Sequence, residues 1–130
     1  MNLNSNTEKI LAELSKEIFK ATEVSIILGN PIEFPTELIE ELSLATALKY
    51  WNGKMGFEEG DCIMNNIYDF WVTNEYFCKN YGFSDIAWEC FEAFDSGEYY
   101  RKDDDENIDP AEKYTKPLIE KLLRKRNLIE

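Results

Sequence analysis

The sequence predicts an all-α fold, a single-domain antiparallel bundle of about five helices spanning residues 1–130. Three observations carry that expectation. Apolar residues recur at three- and four-residue spacing through most of the chain, and alternating strand patterns are scarce. Capping and breaking residues divide the chain into segments of helical length. Finally, 44% of the residues are hydrophobic and 14% aromatic, enough for one core without disulfide or metal staples and too much for a disordered chain.

The elements follow in order. Ser5-Asn6-Thr7-Glu8 reads as a capping box, Ser5 accepting from an orphan amide while Glu8 reaches back. Ile10, Leu11, Leu14, Ile18 and Phe19 then make one apolar face. Residues 24–28 fit either an extension of that helix or a short strand, and Gly29-Asn30-Pro31 ends them in both cases. A second helix follows Pro35-Thr36, lined by Leu38, Ile39, Leu42, Ala45 and Leu48, and Asn52-Gly53 closes it. The third runs over residues 59–81, with Ile63, Ile67, Phe70, Trp71, Asn74, Phe77 and Cys78 on its inner face and Gly82 at its end. Ser84 caps a fourth, with Ile86, Ala87, Cys90, Phe91 and Phe94 inward and Gly97 at a left-handed terminus. An acidic connection over 98–108 leads to Asp109-Pro110-Ala111-Glu112, a strong helix start. Pro117 is expected to interrupt or restart this last helix, which Leu118, Ile119, Leu122 and Leu123 make amphipathic. No repeat, low-complexity linker or internal boundary divides the chain.

Charge and composition exclude several function classes. Acids outnumber bases 26 to 14, for a net charge of −12. Such a charge repels phosphates and anionic lipid heads, so no direct nucleic-acid or membrane binding is expected; basic proteins, basic peptides and cations are the attractive partners. Cys62, Cys78 and Cys90 are odd in number and widely spaced, which reads as free thiols in a reducing, cytoplasmic setting. The N-terminus carries no secretory pattern, and no stretch approaches a membrane span.

The chain has no histidine, which removes Ser-His and Cys-His nucleophile pairs and the usual neutral-pH proton shuttle. No Gly-rich phosphate loop and no nucleophile elbow appears. Paired carboxylates are the remaining route to catalysis: Glu89, Glu92, Asp95 and Glu98 at three-residue spacing, with Asp61, Asp69 and Glu75 as further candidates. A solvated helix face accounts for the same spacing. The run from Asp103 invites a calcium reading, but its sixth position is Ile108 and its twelfth Tyr114, where an EF-hand needs glycine and glutamate. The expectation is a non-enzyme with no metal and no cofactor.

The acidity is uneven. Residues 89–112 hold ten acids against Arg101 and Lys102, while residues 113–130 hold six bases and two acids. Tyr99 and Tyr100 sit inside the acidic segment, beyond the helix that ends near Gly97. Tyrosine beside carboxylates suits a binding surface: the ring supplies contact area and the acids steer a basic partner.

This last third resembles the small acidic helical immunity proteins that bacteria make against their own nuclease toxins, the colicin D-type and contact-dependent inhibition class. The resemblance lies in the helix ending in Phe94 and Asp95, the tyrosine-bearing turn with Asp103 and Asp104, and the closing Leu118-Ile119-Glu120-Lys121-Leu122-Leu123 helix. It implies a protein whose acidic face fills the basic RNA-binding or active-site cleft of a toxin, standing in for substrate phosphates. Asp95, Glu98, Tyr99, Tyr100, Asp103, Asp104 and Asp105 would carry that contact, and Glu89, Glu92 and Glu106 extend the same candidate surface. Three other readings share the composition: an acidic nucleic-acid mimic that inhibits a DNA-binding or defence protein, a carboxylate-based enzyme, and a helical accessory or oligomerising protein. The oligomeric state stays open.

Overall fold

The structure, a computed structural model, describes residues 5–130. It is all-helical: no strand occurs among the described residues, and seven α-helices and one π-helical turn replace the five helices expected. They are α1 (Ser5–Leu14), α2 (Ala21–Ile27), α3 (Thr36–Trp51), α4 (Phe57–Val72), α5 (Glu75–Asn80), α6 (Asp85–Asp95), the π turn (Ala111–Thr115) and α7 (Lys116–Lys125).

Each departure from the five-helix expectation has a local cause. Ser5 is the first residue of α1, Ser5–Leu14, rather than the cap ahead of it. The helix stops at Leu14, which leaves Ile18 57% exposed, and only Phe19 of that pair packs against the core. Asn66, fully buried on α4, holds the segment between α1 and α2: its Nδ2 donates to the Leu14 and Glu17 carbonyls at 2.9 Å each, and its Oδ1 accepts from the Phe19 amide at 2.9 Å. Those bonds satisfy backbone groups that the broken helix leaves orphaned. Residues 24–28 resolve as helix, since α2 covers most of them.

The long third helix divides into α4 and α5 at Thr73. The Thr73 hydroxyl donates back to the Asp69 carbonyl, and Asn74 serves as a cap, its Oδ1 accepting from the Phe77 amide at 2.9 Å. Asn74 therefore starts α5 rather than lining the inner face of one long helix, a use of Asn that competes with helix continuation. Ser84 caps α6 as expected, accepting from the Ala87 amide at 3.1 Å.

Gly97 is not the left-handed terminus; among the described glycines only Gly29 and Gly53 have positive φ. Its role is close approach. A Cβ there would lie 2.2 Å from Thr115 Oγ1, 2.9 Å from Phe57 Cε2 and 3.1 Å from Ala111 Cα. The π turn makes that approach possible and is itself a consequence of Pro117. Proline offers no amide to the carbonyl four residues back and its ring displaces that carbonyl, so the chain widens by one residue just before it, with the Lys116 amide bonding to Ala111 O. The helix continues through Pro117 without a break.

Helix α3 occupies the centre, packing against α4, α6, α7 and α1. Its buried residues, Ile39, Leu42, Ser43, Ala45, Thr46 and Ala47, lie on several sides, as expected of an enclosed helix. Its buried hydroxyls are satisfied internally, Ser43 donating to Ile39 O at 2.8 Å and Thr46 to Leu42 O at 2.7 Å. One continuous core joins Leu11 and Leu14 of α1 to Phe70 of α4, Phe94 of α6 and Leu122 and Leu123 of α7. Helices α4 and α6 meet at Gly60, where the Phe94 ring occupies the space of the missing side chain, 2.5 Å from where a Cβ would stand.

Candidate binding surface

The acidic segment does not present one face. Its ten candidate residues fall into three groups with different surroundings.

The first group faces the basic end of the chain. Glu89 receives Lys125 Nζ at 3.1 Å and Arg126 Nη1 at 3.2 Å. Burial works to raise its carboxyl, but the bonds and charge of Arg126 and Lys125 outweigh that and hold it below the usual carboxylate range. Glu92 lines the adjoining groove between α6 and α7 together with Lys121 and Lys125.

The second group is the tyrosine-bearing turn. Asp104 accepts from Lys113 Nζ and from the Tyr114 hydroxyl, and these two bonds, led by Lys113, hold its carboxyl below the usual range. Arg101 lies between two rings, its guanidinium carbon 4.3 Å from the Tyr99 centroid and 3.5 Å from that of Tyr114. Thus Asp104, Tyr99 and Arg101 fasten the loop to the π turn. Asp105 Oδ1 accepts from the Asn107 amide at 2.9 Å, shaping the local turn. Tyr100 (73% exposed), Asp103, Asp105 and Glu106 are left to solvent.

The third group is the one the sequence did not assemble. Asp95 and Glu98 come up against Asp61 of α4. Burial first, then a hydrogen bond with Glu98 and the charges of Glu98 and Asp95, push the Asp61 carboxyl up to about 8, against a smaller opposing bond from Asn65. Asp95 is also raised, by burial and by Glu98. Asn65 Nδ2 braces the arrangement, donating to Glu98 Oε2 at 3.0 Å and to the Asp61 carbonyl at 2.9 Å. Among the described residues, none of these three carboxylates forms an ion pair with Lys or Arg.

Two shallow, solvent-open grooves adjoin this group. One is lined by Glu17, Ile18, Glu58, Asp61, Asn65 and Glu98, among others; the next includes Glu58, Glu59 and Asp109. The N-terminal turn of α4 therefore adds its acids to those of the 98–109 connection. Neither groove is the deep pocket that a raised carboxylate needs in order to act as an acid on an enclosed substrate. No group of three or more His, Cys, Asp or Glu with metal-holding geometry occurs among the described residues.

Asp61 was a candidate from the sequence only as an isolated acid. Glu58, Glu59 and Asn65 were not singled out. The available signal was weak: Asp61 and Asn65 share a helix side at four-residue spacing, and the residues around them contain no lysine or arginine.

Among the described residues no helix is long and apolar enough to cross a membrane. No family model matches the chain, and no curated protein and no solved structure matches it.

Proposed function

We propose that the protein is a binding module that neutralises a basic partner, a cognate nuclease toxin domain, inside the cytoplasm, by laying an acidic surface over that partner's RNA-binding or active-site cleft. The observation that carries this reading is the gathering of Asp61, Asp95 and Glu98 with no Lys or Arg paired to them among the described residues, while Glu89 and Asp104 of the same segment are ion-paired within the chain. Like charges held together oppose ionisation, and an incoming lysine or arginine relieves them. Cationic side chains lining a nucleic-acid cleft have that chemistry. The exposed acids Asp103, Asp105 and Glu106 enlarge the attractive field, and steering of this kind can raise association to about 10⁸ M⁻¹s⁻¹ or more at low salt. The resemblance of the last third to toxin-immunity proteins supports the same reading. The protein performs no catalysis in this scheme and needs no cofactor.

Co-expression is the test. The protein should restore growth to cells making the nuclease domain encoded beside it, and the purified pair should associate tightly at low salt and more weakly as salt rises. Soluble co-expression without rescue would overturn the proposal. Because Asp61 must lose its proton to meet a cation, binding should also release protons, and affinity should rise between pH 6 and 8.

A further inference from the structure

Beside the carboxylates, the same helix pair carries an aromatic surface that the core does not enclose. Tyr68 and Trp71 of α4, Trp88 and Phe91 of α6, and Phe83 from the connection before α6 form a connected set of rings. Tyr68 and Phe91 stack at 4.4 Å with an interplanar angle of 15°, and Trp88 stacks on Phe91 at 5.7 Å. Phe83 meets Trp71 at 5.2 Å and Tyr68 at 5.8 Å. None of the five is fully buried, and Trp88 is 41% exposed. The Trp71 indole N–H donates to the Tyr81 carbonyl at 2.8 Å, a structural use. The Trp88 N–H has no protein acceptor among the described residues.

The rings and the carboxylates lie on one strip. On α6, Trp88, Phe91 and Asp95 follow at three- and four-residue spacing; on α4, Asp61, Asn65 and Tyr68 do the same. The strip is aromatic where Tyr68 meets Trp88 and Phe91, and lined with carboxyls where Asp61, which gives up its proton to meet a cation, comes up against Asp95 and Glu98. A guanidinium satisfies both ends, because it stacks flat on ring faces and forks onto carboxylates. The chain already contains this chemistry in its own turn, where Arg101 lies on Tyr99 and Tyr114 beside Asp104.

We infer that this α4–α6 strip is the docking surface for an arginine-bearing segment of a basic partner, with Trp88 as the aromatic anchor and Asp61, Asp95 and Glu98 as the carboxyl end. The inference rests on the proposed function, since it takes the partner to be basic and assigns its contact surface. Charge selects this occupant. A second copy carries the same net charge of −12 and would bring like-charged surfaces together. Exposed tryptophan is also the residue type most enriched among the anchors of protein interfaces.

Octa-arginine and octa-lysine peptides are the probes, titrated calorimetrically at low salt against the whole chain. Octa-arginine should bind more tightly than octa-lysine and shift the Trp88 indole resonance. Trp88→Ala should weaken octa-arginine about tenfold, the scale of one desolvated cation–ring contact, and remove the preference for arginine. Trp88→Phe, which keeps a ring in the same place, should retain the preference. Neutralising Asp103 and Asp105 (to Asn) should weaken both peptides alike and leave it intact. If both peptides bind equally, with Trp88 unshifted and Trp88→Ala silent, the strip is the wrong surface while the basic-partner reading stands. If neither peptide binds, that reading falls as well. Sedimentation that finds a dimer dissolved by Trp88→Ala would assign the strip to a second copy and overturn the inference.

Discussion

Glu89 and Asp95 belong to one helix, six residues apart, and the fold treats them in opposite ways. Glu89 turns toward α7 and is held ionised by Lys125 and Arg126. Asp95 turns toward α4, where burial first and then Glu98 push its carboxyl above the usual range, with no Lys or Arg paired to it among the described residues. Asp104 repeats the first pattern with Lys113, and Asp61 repeats the second more strongly. A count of acids along the segment makes these residues equivalent. The direction in which each carboxyl is pushed separates those that fasten the structure from those left without a cation among the described residues.

The largest way to break that contrast is at Gly97, which follows α6 and lies between the two sets. Gly97→Ala would drive a methyl group into Thr115, Phe57 and the Ala111 backbone. Denaturant titration should show a loss of about 3 kcal/mol, the upper range for overpacking. The Glu98 contact with Asp61 and the Asp104 contact with Lys113 should suffer together. A loss below about 1 kcal/mol would mean the seam has slack to absorb the methyl.

Asp61→Asn sharpens the contrast from the other side. The native Asp61 carboxyl keeps its proton up to about pH 8, whereas in the unfolded chain it releases it near the ordinary aspartate value of about 4. The wild type should therefore lose stability as pH rises from about 4 to 8, because the unfolded state binds fewer protons there. Asn cannot ionise. The variant should melt about 3 °C higher than wild type at pH 8, allowing for solvent screening of a half-open site, and no higher at pH 4. Equal melting temperatures at pH 8 would mean that solvent already relieves the cluster.

The smallest effect belongs to the paired set. Glu89 has a lowered carboxyl, so its contribution is present above the unfolded value and disappears as pH falls through the folded one. Glu89→Gln should cost about 0.5 kcal/mol at neutral pH, as partly exposed ion pairs do, and nothing in acid or in high salt. A gain in stability on removing Glu89 would erase its difference from Asp61.

The helical class, much of the core of α3, α6 and α7 and the caps at Ser84 and Asn52-Gly53 were legible in the sequence, because periodicity and capping are local properties; Leu118, expected on the buried side of α7, is instead 41% exposed, and the buried Ser43, Thr46, Ala47 and Ala93 were missed. The break at Thr73-Asn74 was hidden by the apolar spacing that continues across it into Phe77. Gly97 was misread because glycine after a helix usually marks a left-handed turn, and the neighbour that requires it, Thr115, is distant in sequence. The acidic segment was visible as a charge excess. Its division was not, since pairing depends on which helix each side chain meets. For the same reason Asp61 joined Asp95 and Glu98 only once α4 and α6 were packed together.

Two triple variants of equal charge test the central claim most directly. One is Asp61→Asn/Asp95→Asn/Glu98→Gln, which removes the carboxyl cluster; the other is Glu89→Gln/Asp104→Asn/Glu112→Gln, which removes ion-paired acids and leaves the cluster intact. Affinity for octa-arginine at low salt and pH 8 should fall at least about tenfold further in the first than in the second, one cation contact's worth of binding. Equal losses, or a greater loss in the second, would show that only total charge matters and would contradict the division between fastening and binding carboxylates.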